Sequence, residues 1–178
     1  MASIIGVETL QHTNGTTAAT ITSGGTLYSS GHVIQTVIAS STTQASTAVT
    51  DLAAPVDYLS ATITPKSASS VILIRGNISC GGSAESIGVN LFLKAGGSLM
   101  TTSELGNDTA GLLDYAFGRG SSSTNQSQFS FEVMDSPATT NAFIYTVAFG
   151  RYGGSGLAYV GWHPSKSRSS LTLMEIAQ

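Results

Sequence analysis

From residue 32 to the end of the chain, apolar and polar residues alternate in short segments separated by Gly, Pro, Asn and Ser. This alternation is typical of β-strands with one face in a core. The clearest example is the segment 87–94, where Ile87, Val89, Leu91 and Leu93 share one face. The segment 70–79 contains a continuous apolar run at 71–74, which predicts a central strand covered on both faces. The further predicted strands are 32–39, 59–64, 112–119, 128–135, 142–151, 157–162 and 169–177.

These segments predict an all-β head, because no part of the chain keeps a helical period over the roughly 11 residues that would indicate a helix. About nine or ten strands with turn residues between them indicate a β-sandwich or barrel. The number of strands favours a jelly roll of about 8–10 antiparallel strands. Strand order is not visible in the sequence, so an immunoglobulin-type sandwich stays open. The Cys…Trp…Cys spacing of true immunoglobulin domains is absent, since Cys80 is the single cysteine.

Residues 1–31 differ from the rest of the chain. Ile4, Ile5, Val7 and Leu10 form one short apolar patch, and a turn centred on Asn14-Gly15 precedes a possible short strand at 18–21. This stretch has too few large apolar residues to form its own core, so it needs a partner surface to be ordered. We therefore expect an extended N-terminal attachment arm, 1–31, and a head, 32–178. No signal peptide is evident at the N-terminus.

Composition removes several function classes. Only 10% of the 178 residues are charged and the net charge is −3, while 27 Ser and 22 Thr supply most of the polar surface. Without a basic face we expect neither nucleic-acid binding nor attachment to an anionic membrane. The apolar runs are too short to span a bilayer, so no membrane insertion is expected.

The search for chemistry is negative. His12, His32 and His163 do not have the spacing of metal ligands, although a histidine cluster on a threefold axis is a possible exception. Glu132 and Asp135 fall on opposite faces of one predicted strand, so they do not form a catalytic pair. The glycine-rich segments lack the features of a phosphate-binding loop. We expect no catalytic residue, no metal and no cofactor, and hence no enzyme.

The last predicted strand has apolar residues on both faces. Leu171, Leu173 and Glu175 form one face, and the other is formed by Thr172, Met174 and Ile176. One face must meet the sandwich core, and either a loop of the same chain or a neighbouring subunit must cover the other. Low charge content favours the subunit, because interface cores are depleted of charge.

The residues Gly6 to Ala18 resemble the N-terminal segment of structural proteins from tailed bacteriophages, especially marine and cyanobacterial ones. Three further segments are similar to patterns in those proteins: 59–74, 135–140 and 170–176. The resemblance implies a virion protein with a jelly-roll head of the tumour-necrosis-factor or C1q type that assembles as a homotrimer. In that trimer, Thr172, Met174 and Ile176 are the expected interface residues.

A short arm with one head, and no long shaft, suits a capsid decoration protein (a cement or head-fibre protein). Ile4, Ile5, Val7 and Leu10 would attach it to the major capsid protein or to a tail component, and its location would be the virion. One alternative is a tail-fibre or receptor-binding knob whose head loops bind host surface glycans. Another is a secreted C1q-like binding module. The sequence leaves capsid and tail locations open.

Overall fold

The computed structural model describes residues 9–11, 13–15, 17–21, 27–83, 87–101, 105, 109–116, 126–161 and 167–178. These residues form three antiparallel sheets. The arm contains β1 (Thr9–Gln11), β2 (Thr17–Ile21) and β3 (Leu27–Tyr28). The head contains β4 (Val33–Ser41), β5 (Ala45–Thr47), β6 (Val56–Ile63), β7 (Val71–Gly82), β8 (Gly88–Ala95), β9 (Ser98–Leu99), β10 (Leu112–Ala116), β11 (Gln126–Asp135), β12 (Phe143–Tyr152), β13 (Ala158–Val160) and β14 (Ser169–Ile176).

The head is a sandwich of a six-stranded and a five-stranded sheet. In the six-stranded sheet β14 lies between β4 and β7, β11 pairs with the other edge of β7, and the short strands β5 and β13 extend the sheet at one end. In the five-stranded sheet the order is β10-β8-β12-β6, and β9 also pairs with β8.

This strand order establishes the jelly roll. Among the eight long strands taken in chain order, the first pairs with the eighth (β4 with β14) and the second with the seventh (β6 with β12). The third pairs with the sixth (β7 with β11) and the fourth with the fifth (β8 with β10). Such nested pairing is what results when a long hairpin is wrapped into two sheets. The predicted all-β jelly roll is confirmed, and the immunoglobulin-type order is not observed.

The core lies between the two sheets and follows the predicted alternation. Ile72, Ile74 and Ile78 of β7 and Leu171 and Leu173 of β14 line it from one side, all fully buried. The other sheet contributes a second set of buried side chains: Val89, Leu91, Leu93, Tyr145, Val147 and Phe149. Burial of each such side chain stabilises the fold by roughly 1.5–3 kcal/mol.

The arm joins the head beside the C-terminus. The Gly31 N–H donates to the Ala177 carbonyl at 2.8 Å, and the Ala177 N–H donates to the His32 carbonyl at 2.9 Å. The first and last residues of the head therefore meet at the end of the six-stranded sheet where β4 begins and β14 ends.

The described part of the arm is itself a small sheet in which β2 pairs with β1 and β3. Gly15, in the turn predicted at Asn14-Gly15, has a φ of +83°, a conformation that glycine adopts without steric penalty. Leu10 is 47% exposed. Ile4, Ile5 and Val7 lie outside the described residues.

Two details differ from the sequence-based expectation. β7 is central in its sheet, but its outward side chains Arg75 and Asn77 are exposed, so this chain alone covers only one face. The short strands β5 and β9 were not predicted, because two or three residues carry no measurable alternation. Residues 117–119 of the strand predicted at 112–119 lie outside the described residues.

Within the described residues, no helix has the length and apolar character that crossing a membrane requires.

Candidate interaction surface

The outward-facing side of the six-stranded sheet carries the residues predicted for a subunit interface. Thr172, Met174 and Ile176 alternate with the fully buried Leu171 and Leu173, so they point away from the core. All three are half-buried. The structure thus confirms that β14 separates these two sets of side chains.

Strand register brings further residues beside them. Met174 pairs with Thr36 on β4 and with Leu73 on β7, and Leu73 pairs with Met134 on β11. In the next row, toward the end of β14, Ile176 pairs with Val33 and Val71. Side chains in directly paired positions lie within contact distance across a sheet.

The apolar members of these rows, together with Ile38, which pairs with Thr172 on β14, form an apolar patch toward the end of the sheet where the arm begins. We define the apolar patch as Val33, Ile38, Val71, Leu73, Met134, Met174 and Ile176. Ile38 and Met134 are 66% and 65% exposed. A contiguous set of exposed large apolar side chains indicates a protein contact, whereas isolated ones are ordinary.

A polar depression adjoins this patch farther along the sheet. Thr172 pairs with Arg75, and Arg75 pairs with Glu132, to which its Nε donates at 2.8 Å. In the following row the side chains are short, because Ser170 pairs with Asn77 and Asn77 with Ser130. Short side chains beside longer ones leave a depression of about 470 Å³. Its lining residues are Arg75, Gly76, Asn77, Ser130, Phe131, Glu132, Ser170, Thr172 and Met174.

The outward face of the five-stranded sheet is different, because its own chain covers part of it. Phe92 and Ala148 point outward there and are nevertheless fully buried, together with Leu112 and packed against Leu99. A segment before β6 also contacts β12 of this sheet, where the Arg151 N–H donates to the Val49 carbonyl at 2.6 Å. The outward face of the six-stranded sheet instead keeps large apolar side chains exposed, Ile38 and Met134 among them.

The other candidate residues do not converge on a reactive site. Glu132 and Asp135 lie on opposite faces of β11 as expected, since Asp135 accepts a hydrogen bond of 2.6 Å from the Tyr145 hydroxyl. His32 is exposed, whereas His12 and His163 lie outside the described residues. Among the residues that the structure describes, no group of three or more His, Cys, Asp and Glu side chains is placed to hold a metal ion.

Cys80 points into the core and is fully buried. Removal from water disfavours the thiolate, so burial raises the pKa of the Cys80 thiol to about 12. The thiol is therefore neutral at physiological pH, which is the reverse of what a nucleophilic cysteine requires.

Sequence reasoning missed most of the open surface outside β14. Arg75, Ile38 and Met134 were not singled out, although alternation within each strand places them opposite the core residues. Val33 has the parity of Val37, which packs on the core, and it pairs with the outward-facing Ile176 only because the register shifts at this end of β4. The missing information was register, because only strand pairing puts Arg75 opposite Glu132 and Leu73 opposite Met134.

Comparisons with known proteins give no family assignment. No protein-family model matches the chain, and no curated protein matches it. Among solved structures, the chain is similar to capsid protein VP2 of infectious bursal disease virus in its subviral particle, with 12% identity and a TM-score of 0.40. It is also similar to the structures of the T=1 particles derived from that virus and of its Gt strain, each with 11% identity and a TM-score of 0.42.

These similarities cover 85% of this chain. The chain spans about two fifths of the length of the matched proteins, 39% for the T=1 particles and 40% for the Gt strain and the subviral particle. The assignment of the jelly roll therefore rests on the strand order of this chain itself.

Proposed function

We propose that this chain is a non-enzymatic structural protein of a phage virion, a homotrimeric capsid decoration protein that its N-terminal arm attaches to the particle. The observation that carries the proposal is the apolar patch, in which three of the seven apolar side chains are exposed and four are half-buried, on a protein with few charges. The jelly-roll topology supports it, because this fold is common among capsid domains and among binding domains that lack catalysis. The resemblance of residues 6–18 to phage structural proteins supplies the virion context.

The apolar patch supports assembly with further copies of the chain. Exposed apolar area stabilises an assembly by roughly 25 cal/mol per Å² that it removes from water. In the proposed trimer Ile176 is central, Met174 lies where the interface meets the polar depression, and the more polar Thr172 lies toward the rim. Interfaces of stable homo-oligomers have this composition, with an apolar centre and few charged groups.

The position of the arm supports its role in attachment. It leaves the head at Gly31, beside the C-terminus, while the head strands from β4 onward complete the jelly roll without it. We therefore assign the arm a separate contact, in which Ile4, Ile5, Val7 and Leu10 would meet the major capsid protein or a tail component.

Binding of truncated protein to particles that lack the native protein tests this proposal. Protein lacking residues 1–25 is expected to remain folded and oligomeric but to lose binding to particles from which the native protein has been removed. Leu10→Asp is expected to weaken binding, whereas Leu157→Asp should not, because Leu157 is a comparably exposed apolar residue on a head loop. Binding of the truncated protein at full occupancy would disprove the attachment role.

A further inference from the structure

The polar depression on the six-stranded sheet has a chemistry that the proposed function does not use. We propose that it binds a neutral saccharide unit. This inference goes beyond the proposed function, because assembly and attachment are assigned to the apolar patch and to the arm. The depression begins beside Met174 and extends along the sheet past Thr172 to Ser170, away from Ile176.

The size and the lining of the depression support a small polar ligand. Its volume of about 470 Å³ lies within the range of small-molecule sites. The hydroxyls of Ser130, Ser170 and Thr172 and the amide of Asn77 each offer hydrogen-bond donors and acceptors. A ligand whose own hydroxyls donate and accept is the matching chemistry.

The ion pair between Arg75 and Glu132 at the edge of the depression would orient a bound ligand. Arg75 can only donate and the Glu132 carboxylate can only accept. Two neighbouring hydroxyls of a sugar ring can satisfy both groups, since one accepts from the guanidinium and the other donates to the carboxylate. Hydrogen bonds to charged groups are stronger than neutral ones, so this pair would contribute most of the directional binding energy.

Charge balance narrows the ligand class to a neutral one. Arg75 and Glu132 are the two charged side chains of the lining and they compensate each other. An anionic ligand such as a phosphate or a sulfate would meet the Glu132 carboxylate, and a cation would meet the guanidinium. The Met174 side chain adds an apolar border that suits the C–H face of a sugar ring.

Methyl resonances of the methionines provide a direct test on the full chain. The protein labelled with ¹³C at the methionine methyl groups is titrated to millimolar concentrations with the methyl glycosides of glucose, galactose, mannose and N-acetylglucosamine. At least one glycoside is expected to shift the Met174 resonance in a saturable manner. Met100 is buried in the core and should not move.

Two variants of the depression and one matched control locate the site. Arg75→Met with Glu132→Gln is expected to weaken binding about tenfold or more, the loss expected when one strong hydrogen bond is removed. Ser130→Phe fills the depression and should abolish binding without removing a charge. The control, Lys94→Met with Asp57→Asn, removes the ion pair on the other sheet and should bind as the native protein does.

Each result has a definite meaning. Binding that both depression variants lose and the control retains supports the site. The proposal is wrong if no glycoside shifts Met174, or if the depression variants bind with unchanged affinity. Light scattering on the same samples separates this result from the assembly proposal, because the oligomeric mass should not depend on Arg75, Glu132 or Ser130.

Discussion

The Glu175 carboxylate, at the end of β14, accepts a hydrogen bond of 2.6 Å from the side-chain amide of Gln35 on β4. Its other oxygen accepts from the backbone N–H groups of Lys66 at 2.7 Å and Ser67 at 3.3 Å. The Gln35 amide also donates to the Thr64 carbonyl at 2.7 Å. A fully buried carboxylate thus joins the first and last strands of the head to the turn between β6 and β7.

Replacement of Glu175 by Gln is expected to lower the free energy of unfolding by about 2–4 kcal/mol. Glutamine keeps the size of the side chain, but its NH₂ group would face the donors that the carboxylate now satisfies. Urea denaturation of both proteins measures the difference. Asp57→Asn, which alters an exposed carboxylate, should change stability by less than about 1 kcal/mol. A Glu175→Gln protein as stable as the native one would show that the hydrogen bonds contribute nothing net.

Gly76 leaves room for the ring of Phe131 on the neighbouring strand β11. A Cβ atom at this position would overlap the ring of Phe131, which pairs with Gly76 and packs over it. Gly76→Ala is expected to destabilise the fold by about 1–3 kcal/mol through overpacking. Thermal denaturation measures the loss, and Phe131→Leu in the same chain should recover part of it. If the double variant loses the full sum of the two single effects, the steric explanation fails.

Charges placed in the apolar patch should prevent assembly. In Met174→Asp with Ile176→Asp, two carboxylates would enter a desolvated interface, which costs several kcal/mol when they are unpaired. We expect a monomer by light scattering, or loss of soluble protein where the exposed apolar area is too large.

The matched control for this assembly test is Thr62→Asp with Ile144→Asp. Thr62 and Ile144 are exposed and pair directly with each other on the other sheet, so this variant adds the same charge at a comparable site. Its oligomeric mass should equal that of the native protein. An unchanged oligomeric mass and stability for the Met174 and Ile176 variant would mean that another surface forms the interface.

Cys80 should be unreactive in the folded protein. Because burial raises the pKa of its thiol to about 12, the thiolate is scarce at pH 8 and reagents cannot reach the sulfur. Ellman's reagent is expected to modify Cys80 only after unfolding, whereas an exposed thiol introduced by Ser46→Cys on β5 should react at once. Rapid labelling of native Cys80 would contradict the buried position.

The same pKa shift predicts a dependence of stability on alkaline pH. The folded pKa lies above the unfolded value of about 8.5. The neutral thiol therefore contributes stability that is complete below about pH 8.5 and is lost as the pH rises toward 12. Cys80→Ala should remove this dependence, and urea midpoints measured across this pH range check it.

The sequence by itself determined which residues of β8, β12 and β14 share a face, although it did not determine the open face of β7 or the register shift in β4. Alternation with a period of two is a local property, so Leu171 and Leu173 could be separated from Met174 and Ile176 without knowledge of any partner strand. Strand existence and the all-β class follow from the same local signal. The strands β5 and β9 are too short to show this alternation.

Tertiary structure decided which outward faces stay open and which residues meet there. Phe92 and Met174 are both outward apolar residues, yet Phe92 is covered by its own chain and Met174 borders an open surface. Arg75 and Glu132 are 57 positions apart in the sequence and meet only because β11 pairs with β7. The physical reason is that alternation fixes the side-chain direction within one strand. Register, and the covering of a face by other segments, depend on pairing between strands that are distant in the sequence. The packing of the whole core selects that pairing.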